Sequence, residues 1–218
     1  MKVFDTTLAT VMATTAAGLA LTLVAPAHAG ILITQGDSAP TYSNVLTFDE
    51  AGGATGVDVA ANAFAAFGVQ SIISGSGTNF VGDNSPITGT NTTNSYYGPY
   101  GVFMSFGQDL SSASLQAWDS SGPPSGFGGG MAIVLLNDGD ENNPVAFEMF
   151  NPAYFADAGS WFNITTTGGE VFDEIRVLGF GFFPETYVDN VSWNAVPAPG
   201  AFALLGLAGV VVGRRRRN

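Results

Sequence analysis

Short runs of apolar or alternating residues recur through the middle of the chain, separated by clusters of Gly, Asn, Ser, Asp and Pro. They fall at residues 31–34, 45–48, 67–73, 102–106, 114–118, 131–136, 145–149, 161–166, 172–178 and 187–193. Runs of this length between turn-forming residues predict β-strands. Period-two alternation is clearest in Val188-Asp-Asn-Val-Ser-Trp193 and Ser114-Leu-Gln-Ala-Trp118, which predicts strands with one buried face. The one helical candidate is the short, Ala-rich stretch 60–67, and residues 74–100 and 119–130 read as long loops. Strands in this number, without interleaved helices, predict an all-β domain built as a single β-sandwich. No internal period supports a solenoid or a propeller.

The two ends of the chain carry a different pattern. Residues 1–29 hold Lys2, an apolar stretch Leu19-Ala-Leu-Thr-Leu-Val24, and Ala27-His28-Ala29 before Gly30. A small-x-small triplet after an apolar stretch predicts a cleavable signal peptide, cut by signal peptidase between Ala29 and Gly30. Residues 196–218 run Val-Pro-Ala-Pro-Gly, then an apolar stretch 201–213, then Arg214, Arg215, Arg216 and Arg217. Pro197 and Pro199 favour an extended hinge that cannot be helical. The apolar stretch can start a helix, and the arginines anchor on an anionic cytoplasmic face. Thirteen helical residues reach only about 20 Å, against a hydrocarbon core of roughly 30 Å. The tail therefore reads as a sorting signal, with an ordinary membrane anchor as the alternative. The predicted organisation is a signal peptide (1–29), one β-sandwich domain (30–195) and a C-terminal tail (196–218).

Removing the ends changes the charge picture. The chain has 6 basic and 18 acidic residues, a net charge of −12, one histidine and no cysteine. Lys2, His28 and Arg214 to Arg217 belong to the ends, so residues 30–195 keep Arg176 as their sole cation against every acid except Asp5. Without His, Lys or Cys, this region cannot build a Ser-His-Asp triad, a Cys-His pair or a Schiff-base lysine. Zinc binding loses its usual ligands. Nucleic-acid binding loses the cations that neutralise phosphates. Carboxylate chemistry remains, as calcium binding or a glycosidase-like acid pair, together with neutral binding by aromatics and amides.

Three groups of residues could carry that chemistry. Asp138, Asp140 and Asn142 in Asn137-Asp-Gly-Asp-Glu-Asn-Asn143 have the alternate spacing of calcium loops, but Asn143 and Met149 stand where an EF-hand needs Gly and Glu. A polar hairpin turn, signalled by Asp138-Gly139, explains the same residues. Asp49, Glu50 and Asp189 would meet at a calcium ion if the strands carrying them pair. No cofactor is expected other than such structural calcium. Tyr96, Tyr97, Tyr100 and Trp118 offer aromatic faces near Asn- and Ser-rich loops, either to stack on neutral sugars or to cap the sheet edge. Arg176 is expected to pair with Asp173, Glu174 or another carboxylate. The sequons at Asn91, Asn163 and Asn190 match a eukaryotic glycosylation pattern and carry no meaning in a bacterial export setting.

The tail resembles the PEP-CTERM sorting signal of Gram-negative bacteria, on Pro197, Pro199, Leu204-Leu205-Gly206-Leu207 and Arg214 to Arg217. Ala198 stands where that family has Glu. The resemblance implies handling by an exosortase-like sorting enzyme, transient membrane attachment through the tail, and association with extracellular polysaccharide or biofilm matrix. Leu46-Thr-Phe-Asp-Glu50, Phe67-Gly-Val69 and Tyr187-Val-Asp-Asn-Val-Ser-Trp193 are similar to scattered signatures of jelly-roll domains that often precede this tail. In such domains the first and last strands lie side by side. The chain is thus expected to be a non-enzymatic, exported surface or matrix protein; a carbohydrate-binding module and a carboxylate-only glycoside hydrolase are the alternatives.

Overall fold

The computed structural model describes residues 30–50, 56–83, 94–119, 130–150, 161–180 and 185–197. Twelve strands form: β1 (Ile31–Gly36), β2 (Asn44–Leu46), β3 (Gly56–Val57), β4 (Val69–Ser74), β5 (Phe80–Gly82), β6 (Ser95–Pro99), β7 (Val102–Asp119), β8 (Gly130–Leu136), β9 (Ala146–Phe150), β10 (Trp161–Thr166), β11 (Phe172–Phe180) and β12 (Glu185–Ala195). They make one continuous hydrogen-bonded network, and the pairings are antiparallel. The described chain is all-β, as its alternation predicts.

The central element is β7. Residues 102–106 and 114–118, expected as two strands, are halves of one 18-residue strand. Gly107-Gln-Asp109 has the composition of a turn, yet the chain bends there without leaving the sheet. Opposite the step from Phe172 to Glu174 on β11, β7 runs from Leu110 back to Ser105, so the extra residues bulge on β7 itself. The first half of β7 lies between β4 and β11, where Phe103 faces Ile73 and Arg176. The second half lies between β10 and β12, where Gln116 faces Trp161 and Trp118 faces Tyr187. One strand thereby links two sets of neighbours. Met104, Ile133, Leu135 and Val177 from the first set join Leu115, Phe162, Ile164, Val188 and Val191 from the second in a single buried cluster.

Two sequence expectations are corrected. Residues 74–100 are not one long loop, because β5 and β6 lie within them. Ser-Tyr-Tyr-Gly-Pro is written in turn-type residues. Its extended form comes from pairing on both edges, with Tyr97 opposite Phe80 on β5 and Tyr187 on β12. The expected helix at 60–67 is a series of turns ending in a 3₁₀ segment, Ala65–Phe67, with bonds from Ala63, Phe67 and Gly68 each reaching back three residues. A run this short cannot offset helix nucleation, so the tighter turn forms instead. Phe64 anchors it, fully buried and edge-on to Phe48 with ring centroids 5.2 Å apart. Of the other expected loop, 119–130, residues 120–129 lie outside the described residues.

The first strand, β1, pairs with β10 and not with the last; it is the second strand, β2, carrying Leu46, that pairs with β12, Leu46 opposite Val191 and Asn44 opposite Trp193. The segment before β2 is tied to the same place by its main chain. Pro40 O accepts hydrogen bonds from the hydroxyls of Ser114 (2.8 Å) and Ser192 (3.4 Å), which themselves lie 2.8 Å apart.

Candidate functional site

The acidic loop and Arg176, the sole arginine of residues 30–195, form one structure. Residues 137–143 connect β8 to β9, which pair from Leu135–Ala146 to Met131–Phe150. Asp138 and Gly139 both have left-handed φ (55° and 67°), and Asp140 N donates to Asn137 O at 3.2 Å. Two consecutive positive φ values closed by that bond are the signature of a type I′ hairpin turn. Asp140 Oδ1 accepts the Asn142 N–H at 3.1 Å, so this carboxylate braces the loop. Asp138 is held through its backbone N–H, which donates to both oxygens of Asp173 at 3.1 Å. The Asp173 carboxyl is pushed above the usual range by burial first, then by the negative charges of Asp138, Asp109 and Glu174; the Asp138 N–H opposes the rise.

Arg176 sits mid-strand on β11 between Phe103 and Val134. Its Nε donates to Glu174, its Nη2 donates to Glu141 Oε1 at 2.7 Å, and the guanidinium lies 4.9 Å from the centre of the Phe103 ring. Glu174 was among the expected partners. Asp173 takes a backbone amide instead, and Glu141 from the hairpin completes the pairing. Carboxylates on both sides favour a guanidinium that stays charged while partly buried.

In the second carboxylate group, the side chains of Asp49, Glu50 and Asp189 each bond a different neighbour although the strands that carry or flank them pair. Asp49 is exposed and accepts a 2.6 Å bond from Asn94 Nδ2. Glu50 turns back on its own loop, both oxygens accepting the Thr47 N–H at 3.1 and 3.0 Å. Asp189 is 1% exposed on β12 and accepts the N–H of Asn190 at 2.6 Å. Strand pairing brings the segments together, but each side chain serves a different neighbour. Among the described residues, no group of three or more His, Cys, Asp or Glu side chains is placed to hold a metal ion.

The four aromatic candidates divide between the two faces of the sheet. Tyr96 points into the core, and burial pushes its hydroxyl far above the usual tyrosine range. Tyr97 points the other way and lies 5.0 Å from the Tyr187 ring. Register places Phe80, Tyr97, Tyr187 and Trp118 side by side across β5, β6, β12 and β7. Adjacent strands stand about 4.8 Å apart, so the four rings form a cross-strand row. Tyr187 and Trp118 are buried, while Phe80 and Tyr97 are half-buried. Glu185, on the same face, hydrogen-bonds Tyr97; burial first and this carboxylate second raise the Tyr97 hydroxyl above its ordinary value. Tyr100 stands outside the row at the tight β6–β7 corner, with φ 63° and 54% exposure. Phe80, Glu185 and Tyr187 were not among the expected site residues. Phe80 on a three-residue strand, and Glu185 and Tyr187 at the start of β12, give no local signal; only register joins them.

Asn79 was also missed. Its Oδ1 accepts from Ser74 N (2.8 Å) and Tyr96 Oη (2.6 Å), and its Nδ2 donates to Val59 O (3.3 Å). Its own carbonyl accepts from Asp58 N at 2.6 Å. One amide side chain thus ties the 58–59 segment, the end of β4 and the buried face of β6.

Of the processing residues, Gly30 begins the described chain and Pro197 ends it, just beyond β12. Ala29, Ala198, Pro199 and Arg214, Arg215, Arg216 and Arg217 lie outside the described residues. Among those that are described, no helix is long and apolar enough to cross a membrane.

No family model and no curated protein matches the chain. Among solved structures, the cleaved adhesin domain of Lys-gingipain from Porphyromonas gingivalis is similar at 14% identity, over 76% of this chain and 98% of that one, with a TM-score of 0.34.

Proposed function

We propose that this chain is an exported, non-catalytic surface or matrix protein whose β-sandwich is delivered by a PEP-CTERM-like tail. In this reading the two strand sets joined by β7 face one another across the shared core. Signal peptidase acts at Ala29–Gly30, and an exosortase-like enzyme acts near Pro197, Ala198 and Pro199 after the tail has engaged the membrane. The observation that supports it best is where the acids go. Glu50, Asp140, Asp173 and Asp189 hold backbone amides, Asp49 holds Asn94, and Glu141 and Glu174 hold Arg176. Carboxylates committed to turns and to one ion pair are scaffold groups, and they leave an acidic exterior suited to solvated matrix. Intact-mass spectrometry of the protein recovered from its own cells checks the reading. The expected product starts at Gly30 and ends near Pro199; a product retaining Met1 and Arg214 to Arg217 would sink it.

A second reading, a module that binds neutral glycans, is favoured by Tyr97 and Tyr100. Tyr97 offers a half-exposed ring whose hydroxyl is oriented by Glu185, and Tyr100 is the most exposed ring nearby. A flat apolar face beside hydrogen-bonding groups suits the apolar face of a sugar ring. On a glycan array, Tyr97→Ala and Tyr100→Ala are each expected to abolish a signal given by the unaltered protein. Equal signals in all three proteins would exclude this surface.

A further inference from the structure

At the start of β1, the absence of a side chain on Gly30 leaves room for the carboxylate of the exposed Glu170. Gly30 is buried, and its carbonyl accepts from Thr167 N (2.5 Å) and from the Thr167 hydroxyl (3.3 Å), extending the β1–β10 ladder. Gly168 and Gly169, with φ of 84° and 96°, then reverse the chain and return Glu170 over residue 30. A Cβ on residue 30 would lie 2.0 Å from the Glu170 carboxyl carbon and 2.2 Å from both its oxygens. The carboxylate therefore occupies the place a side chain would take. The residue-30 nitrogen is bonded to the same Cα, about 2.5 Å from that Cβ position, which keeps the carboxylate oxygens within roughly 4.7 Å of it. Gly30 and Glu170 also line a cavity of about 360 Å³ with Asn137, Asn143, Pro144 and Val145. In its wall, Asn137 Oδ1 is buried without a hydrogen-bond partner.

We propose that Glu170 is a receptor for the mature N terminus: cleavage after Ala29 leaves an α-ammonium on Gly30 that seats on this carboxylate at the cavity. Before cleavage, the nitrogen is a neutral amide with one proton. Hydrolysis of the Ala29–Gly30 bond by water leaves Ala29 with a carboxylate and Gly30 with a charged group carrying three donors. Two acceptors wait in that wall, the Glu170 carboxylate and Asn137 Oδ1. The charge also matters for the domain as a whole. Residues 30–195 carry 17 acids (18 less Asp5) and only Arg176, which Glu141 and Glu174 already hold. The ammonium is the second cation of that domain, and it arises beside a carboxylate. Glu170 is the titratable side chain of the cavity wall. Its negative charge favours the protonated, charged form of the amine over the neutral one.

The chain itself makes the test clean. Lys2 is the only lysine and leaves with the signal peptide, so the Gly30 amine is the sole primary amine of the processed protein. Protein recovered after export and methylated with ¹³C-formaldehyde should give one amine resonance, followed by NMR against pH. We expect it to titrate above that of the same modified amine after unfolding in urea, and Glu170→Gln to remove most of that difference. Gly30→Ala, which evicts the carboxylate, should do the same. Equal titration in the folded protein and in both variants would overturn the proposal. So would an N terminus other than Gly30, which leaves export itself intact; only a Met1 start would count against export as well.

Discussion

Replacing Trp193 by Ala should destabilise the domain by about 3–5 kcal/mol, the range for deleting a large buried aromatic. Trp193 is fully buried on β12, with neighbours on both edges: Asn44 of β2 and Ala113 of β7. Its ring lies 5.1 Å from Phe106, which comes from the first half of β7, while Ala113 belongs to the second. Removing it takes contacts from both sets of strands at once. The turn before β4 also leans on it, since a Cβ at Gly68 (φ 99°) would approach Trp193 Cζ2 to 3.0 Å. That turn cannot collapse into the space without giving up its left-handed glycine, so the cavity should persist and keep the loss near the upper end. Trp193 Nε1 has no hydrogen-bond partner. Trp193→Phe therefore deletes a desolvated donor along with part of a ring, and should cost much less than the alanine change. Circular dichroism during thermal unfolding reads both. At about 2–4 °C per kcal/mol, the alanine variant should melt roughly 10 °C lower. A shift of only a degree or two would mean that Trp193 does not join the strand sets.

The sequence and the structure agree wherever a strand is written in its own residues. Residues 131–136 and 161–166 alternate or run apolar between turn signals, and β8 and β10 form there. Agreement fails where structure is decided by distant partners. The runs 102–106 and 114–118 read as two strands because local composition does not reveal that the residues between them bulge within one strand held by its neighbours on both edges. Ser95–Pro99 reads as a loop because its extended form depends on β5 and β12. The Asp138-Gly139 pair was legible in both of its readings, and its backbone angles settle the turn. The candidate aromatic site was half legible. Tyr97 and Tyr100 are visible as aromatics near polar loops, but local pattern alone does not say that Tyr96 enters the core while Trp118 is buried on the opposite face, in the row with Tyr97. Their row partners, Phe80 and Tyr187, lie 17 and 90 residues from Tyr97 in the chain and meet it only through register.

Asn79 gives the second large effect, and a different kind of test. Asn79→Ala should cost about 2–3 kcal/mol, more than an ordinary loop substitution, because it strands groups that cannot reach water. Ser74 N loses its acceptor at the end of β4, and Val59 O loses the Nδ2 donor. The Tyr96 hydroxyl, buried in the core, keeps only the longer 3.3 Å contact to Ile72 O. Each buried group left unpaired costs about 1–3 kcal/mol, and the surviving Ile72 contact limits the sum. A double-mutant cycle separates this account from simple loss of volume. Tyr96→Phe removes the hydroxyl and should be costly while Asn79 is present, since it leaves Oδ1 with one donor fewer. In the Asn79→Ala background the same change should cost clearly less, because the hydroxyl has already lost its short partner. The coupling should appear as a non-additivity of about 1 kcal/mol in urea midpoints at constant m-value. Strict additivity would mean that the amide and the hydroxyl act independently.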